Sequence, residues 1–120
     1  MSGAVAVAKA KTFSKDFRLR KSVEFEKVYA KGTKKISSSF VVFALPNGLD
    51  HSRCGLTTPR KLGKAYERNR VKRRVREILR ASRALIPVGF DFVVNPRRPA
   101  TEREFEALRA ELVLLLGAEK

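Results

Sequence analysis

The side chains best suited to chemistry in this sequence are cations. Arg68, Asn69, Arg70, Lys72, Arg73, Arg76 and Arg80 recur within one short stretch. Wound at about 100° per residue, Asn69, Lys72, Arg73, Arg76, Arg80 and Arg83 fall on one side of a helix, while Val71, Val75, Ile78 and Ser82 share the other and Leu79 borders them. Such a helix buries one face and presents guanidinium groups on the opposite one. Arg outnumbers Lys there, and its planar fork matches two phosphate oxygens at once. A merely solvated face mixes signs so that i,i+4 pairs form, yet this stretch offers only Glu67 and Glu77. The chemistry implied is phosphate recognition.

Bond-breaking chemistry is poorly supplied by comparison. The lone His51 follows Asp50 in an expected turn, with no nucleophile or carboxylate at triad or ligand spacing. Asp16, Asp50 and Asp91 are scattered, whereas a two-metal nuclease needs clustered carboxylates to hold its ions. Gly63 stands alone between Leu62 and Lys64, so no glycine-rich phosphate loop is present. Cys54 reads as a small strand residue. The sequence therefore gives no catalytic and no metal-ligating side chain, and argues for binding.

Three aromatic residues are candidates for stacking on unpaired bases: Phe25, Tyr29 and Phe43. Spacing alone would place each in a core, but Lys21, Lys27 and Lys31 flank the first two, and unpaired strands are bound by rings beside basic tracks. Phe40, Phe90, Phe92 and Phe105 are assigned to the core. A DNA-reading helix is less attractive, because Asn69 is the only base-reading amide on the cationic face.

The whole composition agrees. The chain has 120 residues, 27 Lys and Arg against 12 Asp and Glu, and a formal charge of +15, the footprint of a polyanionic partner. Residues 9–35 carry a net +7 and residues 60–83 a net +9, while 36–59 are neutral and 84–120 carry −1. Two basic segments around apolar sequence imply a folded surface with defined positive faces. The length suits one domain. No apolar run approaches the roughly 20 residues of a membrane span. A single cysteine excludes an internal disulfide and favours a reducing, cytoplasmic setting.

These side chains need elements to hold them. Residues 1–12 read as a disordered basic extension. Ser22 as a hydroxyl cap, with Glu24 and Glu26 behind it, opens a helix ended by Gly32. Phe40 to Leu45 is a strand stopped by Pro46-Asn47-Gly48, and Arg53 to Thr58 a second one stopped by Pro59. A long helix covers Ala65 to Leu85. Phe90 to Val94 is a buried strand stopped by Asn95-Pro96. Thr101 to Glu104 has capping-box spacing and opens a last helix with Phe105, Leu108, Leu112 and Leu115 on one face. Helices packed on a small sheet result.

The run from Arg60 to Glu77 resembles the signature of the bacterial ribonuclease P protein component: a basic pair, Gly-x-Ala, then Arg-Asn-Arg-x-Lys-Arg-x-x-Arg. Ten positions match, at Arg60, Lys61, Gly63, Ala65, Arg68, Asn69, Arg70, Lys72, Arg73 and Arg76. The resemblance extends from about residue 16 to 115, with residues 1–15 as an extension and 16–120 as the domain. It implies a single two-layer α+β domain of αβββαβα type, with a small sheet, a left-handed crossover and the long basic helix. It further implies a catalytic RNA partner and removal of the 5′ leader from precursor tRNA, with hydrolysis carried by the RNA and its Mg²⁺ ions rather than by a cofactor held by the protein. On this sequence the positions facing the RNA subunit are Lys64, Arg68, Asn69, Arg70, Lys72, Arg73, Arg76 and Arg80. Those facing the single-stranded leader are Phe25, Tyr29, Phe43, Arg60, Lys61, Arg97 and Arg98. No protein oligomer and no membrane association are implied. The sequence departs from the pattern at Thr58 and Pro59, where small and apolar residues are common, and at Tyr29, which adds a hydroxyl where Phe is frequent. A generic ribosome-associated RNA-binding protein accounts equally well for the charge, but leaves the Arg68-Asn69-Arg70 spacing as coincidence.

Overall fold

The computed structural model describes residues 17–117; the extension expected over residues 1–15 lies outside them. The elements are α1 (Ser22–Lys31), β1 (Thr33–Ile36), β2 (Phe40–Pro46), β3 (Arg53–Leu56), α2 (Ala65–Ala81), β4 (Phe90–Pro96) and α3 (Phe105–Gly117), with short 3₁₀ turns at Arg60–Leu62, Arg83–Leu85 and Arg98–Thr101. The strands lie in the order β1-β2-β4-β3. β1–β2 and β2–β4 are antiparallel, and β3–β4 is parallel, joined across α2.

Strand parity divides the interior in two. Phe40 and Val42 of β2, Phe92 and Val94 of β4 and Cys54 of β3 point to the larger core, where Val71, Val75, Ile78, Leu108, Leu112 and Leu116 from α2 and α3 meet them. Val93, Phe43 and Leu45 point to the opposite face, against Leu19, Phe25 and Val28. Being central and covered on both sides, β4 keeps Phe92, Val93 and Val94 all buried, the continuous apolar run expected of a doubly covered strand. The outer edge of β3 is closed by residues 17–19: Arg18 bridges Cys54, and the Leu19 N–H donates to the Cys54 carbonyl at 2.9 Å.

Several boundaries differ from expectation, each for a local reason. β1 is absent from the pattern reading because Thr33-Lys34-Lys35-Ile36 is a mostly exposed edge strand with no apolar face; the resemblance implied it. Lys21, not Ser22, occupies the cap of α1, without a side-chain hydrogen bond. β3 stops at Leu56, and α2 at Ala81 instead of Leu85. β4 runs on through Asn95 and Pro96: the Arg97 N–H donates to the Ser39 carbonyl at 2.7 Å, which makes Phe40 and Pro96 a non-hydrogen-bonded pair that needs no Pro96 donor. Thr101 caps nothing, since it closes the 3₁₀ turn by donating to the Arg98 carbonyl at 2.8 Å. The buried stripe of α3 uses Leu116, while Leu115, Phe105 and also Phe90 are only partly buried against the core.

Two polar ties fix the layers. Asp91 (6% exposed) accepts from Arg53 Nε at 2.9 Å and Nη2 at 2.7 Å and from Asn47 Nδ2 at 2.9 Å, and Arg53 Nη1 reaches Glu24 of α1 at 3.1 Å. Asp91 holds the Arg53 guanidinium above its ordinary range, against burial. At the other end, Glu111 of α3 takes the Ser37 hydroxyl and the Ser39 N–H, the latter at 2.6 Å, with Arg103 at 3.4 Å. Burial pushes the Glu111 carboxyl up, but these donors and Arg103 together hold it below the usual range.

Candidate nucleic-acid interface

The cationic helix begins with a backbone device. The Glu67 carboxylate folds back to accept the Lys64 N–H at 2.8 Å, satisfying one of the free donors of the first turn. Gly63 makes room for it, because a Cβ there would lie 2.5 Å from Glu67 Oε1. Val71, Val75, Ile78 and Leu79 then seat the helix on the sheet, and the opposite face is left for the cations.

Most of those cations have no acidic partner among the described residues. Arg68 Nη1 donates to the Gly63 carbonyl at 2.9 Å, Arg70 Nη2 to Thr101 at 2.6 Å, and Arg74 Nη1 to Arg103 at 2.8 Å. A neutral carbonyl orients a guanidinium without neutralising it. Lys64, Asn69, Arg73 and Arg76 are exposed and Lys72 is half-buried; none of these five has an ion pair among the described residues. Arg80 pairs with Glu77. Arg83 is a correction: the helix ends before it, and its guanidinium lies 4.3 Å from the centre of the Phe17 ring, a cation–π packing contact on the inside of the molecule.

A second surface lies on the other face of the sheet. Beside α1, the sheet is left open as a groove of about 620 Å³, lined by Lys34, Val41, Phe43, Thr57, Thr58, Pro59, Lys61, Asn95, Pro96 and Arg97. Its floor is apolar, and Lys34, Lys61 and Arg97 bring cations to its sides. Tyr29 stands at its edge, 39% exposed, with its ring edge-on to Phe43 at 4.9 Å. The Tyr29 hydroxyl donates to Asn95 Oδ1 at 3.1 Å, and the Thr57 hydroxyl donates to the same oxygen. Lys34 Nζ sits 5.8 Å from the Phe43 ring centre.

The groove thus gathers Tyr29, Phe43, Lys61 and Arg97 from four separate stretches of sequence. Arg97 is aimed by a 2.8 Å bond from Nη1 to the Ser37 carbonyl. Arg60 and Arg98 are exposed on neighbouring 3₁₀ turns and do not line the groove. Phe25 lies beside it, half-buried on Gly55, where any Cβ would come within 2.4 Å of the Phe25 ring; the bare backbone of β3 is what lets α1 approach. Lys34 and Asn95 were not legible as site residues. Lys34 sits on the strand that pattern reading omits, and Asn95 read as a strand stop. Tyr66, 64% exposed beside Lys64 and Arg68, is a further ring on the cationic side.

The remaining reactive groups are committed elsewhere. Burial pushes the Cys54 thiol far up, out of the thiolate range. Asp50 is lowered by its hydrogen bond to His51, whose Nδ1 is 2.9 Å away on the surface. Among the described residues no three His, Cys, Asp or Glu side chains stand together as metal ligands, and no helix is long and apolar enough to cross a membrane.

Comparison with known proteins identifies the family and the fold. The family model described as Ribonuclease P matches residues 13–119. The ribonuclease P protein component of Thermotoga petrophila is 42% identical over 109 residues, covering 88% of this chain and 93% of that protein. That of Streptococcus pneumoniae is 32% identical over 106 residues, covering 88% and 86%. The solved RNase P protein of Thermotoga maritima superposes with a TM-score of 0.80 at 39% identity, covering 86% of this chain and 97% of that one. The Staphylococcus aureus protein gives 0.75 at 32%, covering 86% and 95%. With the family model matched over residues 13–119, a relative at 42% identity and a shared fold, this chain belongs to the ribonuclease P protein component family, the protein subunit of a bacterial endoribonuclease that processes tRNA.

Proposed function

We propose that the two surfaces divide the labour between two RNAs. The outer face of α2, through Lys64, Arg68, Asn69, Arg70, Lys72, Arg73, Arg76 and Arg80, docks the catalytic RNA subunit. The groove takes the single-stranded 5′ leader of precursor tRNA, with Phe25, Tyr29 and Phe43 supplying rings and Arg60, Lys61, Arg97 and Arg98 supplying charge. The observation that carries this reading is the placement of a ring-floored cationic groove on one face of the sheet and an arginine-rich helix on the other. One protein can then touch both RNAs at once and offset the repulsion between their phosphates.

The hydrolysis, in this reading, belongs to the RNA and its Mg²⁺ ions. The carboxylates of Asp91 and Glu111 are engaged within the fold, Asp91 with Arg53 and Glu111 with Ser37 and Ser39, which suits a protein that leaves the ions to the RNA. The protein contributes position: rings hold leader bases extended and cations track the backbone. We place this assembly in the cytoplasm, the reducing setting that a single cysteine favours.

Reconstitution with the RNA subunit tests the reading. Leader-bearing precursor is expected to bind more tightly than mature tRNA, and the leader-dependent part to fall by about 0.7 log units of affinity per log unit of salt for each single-strand phosphate neutralised. Equal binding of the two tRNAs, or a leader contribution indifferent to salt, contradicts it.

The rings give a separate expectation. Tyr29→Ala and Phe43→Ala should each cost the leader-bearing precursor about 1–3 kcal/mol, the worth of one stacked base, and Phe25→Ala should weaken precursor more than mature tRNA. Titrating both substrates against each variant checks this; equal losses on the two tRNAs assign the ring to packing alone.

A further inference from the structure

One large ring outside the groove does nothing for the fold. Tyr66 stands on the first turn of α2 with 64% of its surface in water. Projected at about 100° per residue, it points roughly 120–180° away from Val71, Val75 and Ile78, which seat the helix on the sheet. Neither its ring nor its hydroxyl has a partner among the described residues.

Its neighbours define what it can meet. Asn69, Arg70 and Arg73 follow at i+3, i+4 and i+7 and share its side of α2. Asn69 and Arg73 are exposed and, like Tyr66, unpartnered among the described residues. Arg70 is held only by a neutral carbonyl, Nη2 donating to Thr101 at 2.6 Å. Glu67, the acid of this turn, is folded back on the Lys64 N–H at 2.8 Å.

A free ring among unneutralised cations suits a partner that is flat and aromatic and carries negative charge. An apolar protein pocket closing over Tyr66 would strand the charges beside it. A nucleotide meets both demands, its base on the ring and its phosphate on the guanidinium groups. Inside an A-form duplex each base face is covered by the next pair, so rings that bind RNA stack on unpaired nucleotides. Asn69, one turn on and about 5–6 Å away between Cβ atoms, is in reach of the same nucleotide.

We propose that Tyr66 binds the catalytic RNA by stacking on one unpaired nucleotide of that subunit, next to the phosphates held by the arginines. This rests on the outer face of α2 being the RNA-subunit site. It adds to that face a contact that salt does not screen and that a uniform duplex cannot supply.

The test titrates the RNA subunit with the full-length protein and with Tyr66→Ala, Tyr66→Phe and Arg73→Glu, at several salt concentrations. Tyr66→Ala is expected to bind about tenfold more weakly, the worth of one stacked base, with the parent's salt slope and thermal midpoint. Tyr66→Phe, which keeps the ring, should stay within about twofold of the parent. Acylation of RNA 2′-hydroxyls should show one unpaired nucleotide protected by the parent and by Tyr66→Phe but not by Tyr66→Ala. Parent-like affinity in Tyr66→Ala, an equal loss in Tyr66→Phe, or the same protection in all complexes overturns the proposal. So does a loss confined to precursor tRNA binding by the holoenzyme. If Arg73→Glu weakens docking in those cases, the RNA-subunit face stands without the stacked base; if Arg73→Glu also binds like the parent, the face itself falls.

Discussion

Changing Arg73 and Arg76 together to glutamate is expected to weaken docking on the catalytic RNA by at least ~30-fold at about 0.15 M salt. The reasoning starts from exposure: both side chains point to solvent, and neither has an acidic partner among the described residues. Each phosphate contact removed takes about 0.9 log units of affinity per log unit of salt on duplex nucleic acid, so two lost contacts account for that factor and the new negative charges add to it. The same variant should show a salt dependence shallower by about two contacts. Fold stability should change little, since Val71, Val75, Ile78 and Leu79 on the other side of α2 are what seat the helix. Direct titration of the RNA subunit at several salt concentrations checks both numbers; unchanged affinity and slope would remove this face from the interface.

The second large effect is on stability. Asp91→Ala is expected to destabilise the protein by about 2–3 kcal/mol, somewhat below the 3–5 kcal/mol typical when one partner of a fully buried pair is deleted. The discount follows from Arg53, which keeps 24% of its side chain in water. The loss strands the Arg53 guanidinium and also frees Asn47 Nδ2, both held by Asp91. At about 4–8 °C per kcal/mol for a domain of this size, the thermal midpoint should fall by ~10–20 °C. Asp91→Asn, which retains an acceptor, should lose less. Because Arg53 also ties down Glu24 of α1, leader affinity should suffer in the alanine variant while RNA-subunit docking is spared. A midpoint within a degree or two of the parent would show that the pair contributes nothing.

The cationic helix was legible because a 3.6-residue period is written in consecutive sequence: Val71, Val75 and Ile78 announce the buried side, and the arginines between them announce the other. It failed at Arg83, where the chain leaves the helix two residues earlier and the projection no longer applies. The groove was legible only as a set of parts. Tyr29, Phe43, Lys61 and Arg97 were named, yet nothing local says that Tyr29 meets Asn95 across 66 residues or that Thr57 meets it across 38. β1 was hidden for a different reason, since an edge strand of Thr, Lys, Lys and Ile carries no alternation to read. Capping signals misled at Ser22 and Thr101, where hydroxyl residues sit near helix starts but the neighbouring turns use the backbone differently.

The place of β4 between β2 and β3 has a consequence for synthesis. As the chain leaves the ribosome, the β1–β2 hairpin and α2 emerge before residues 90–96, so the apolar stripe of the arginine helix has no completed sheet to rest on. Pairings of such long sequence separation form slowly. Until they form, neither the groove floor nor a seated helix exists, and a truncated nascent chain is a sticky polycation rather than half a subunit. Maturation of either RNA-facing side therefore waits on the same late event, the insertion of one strand.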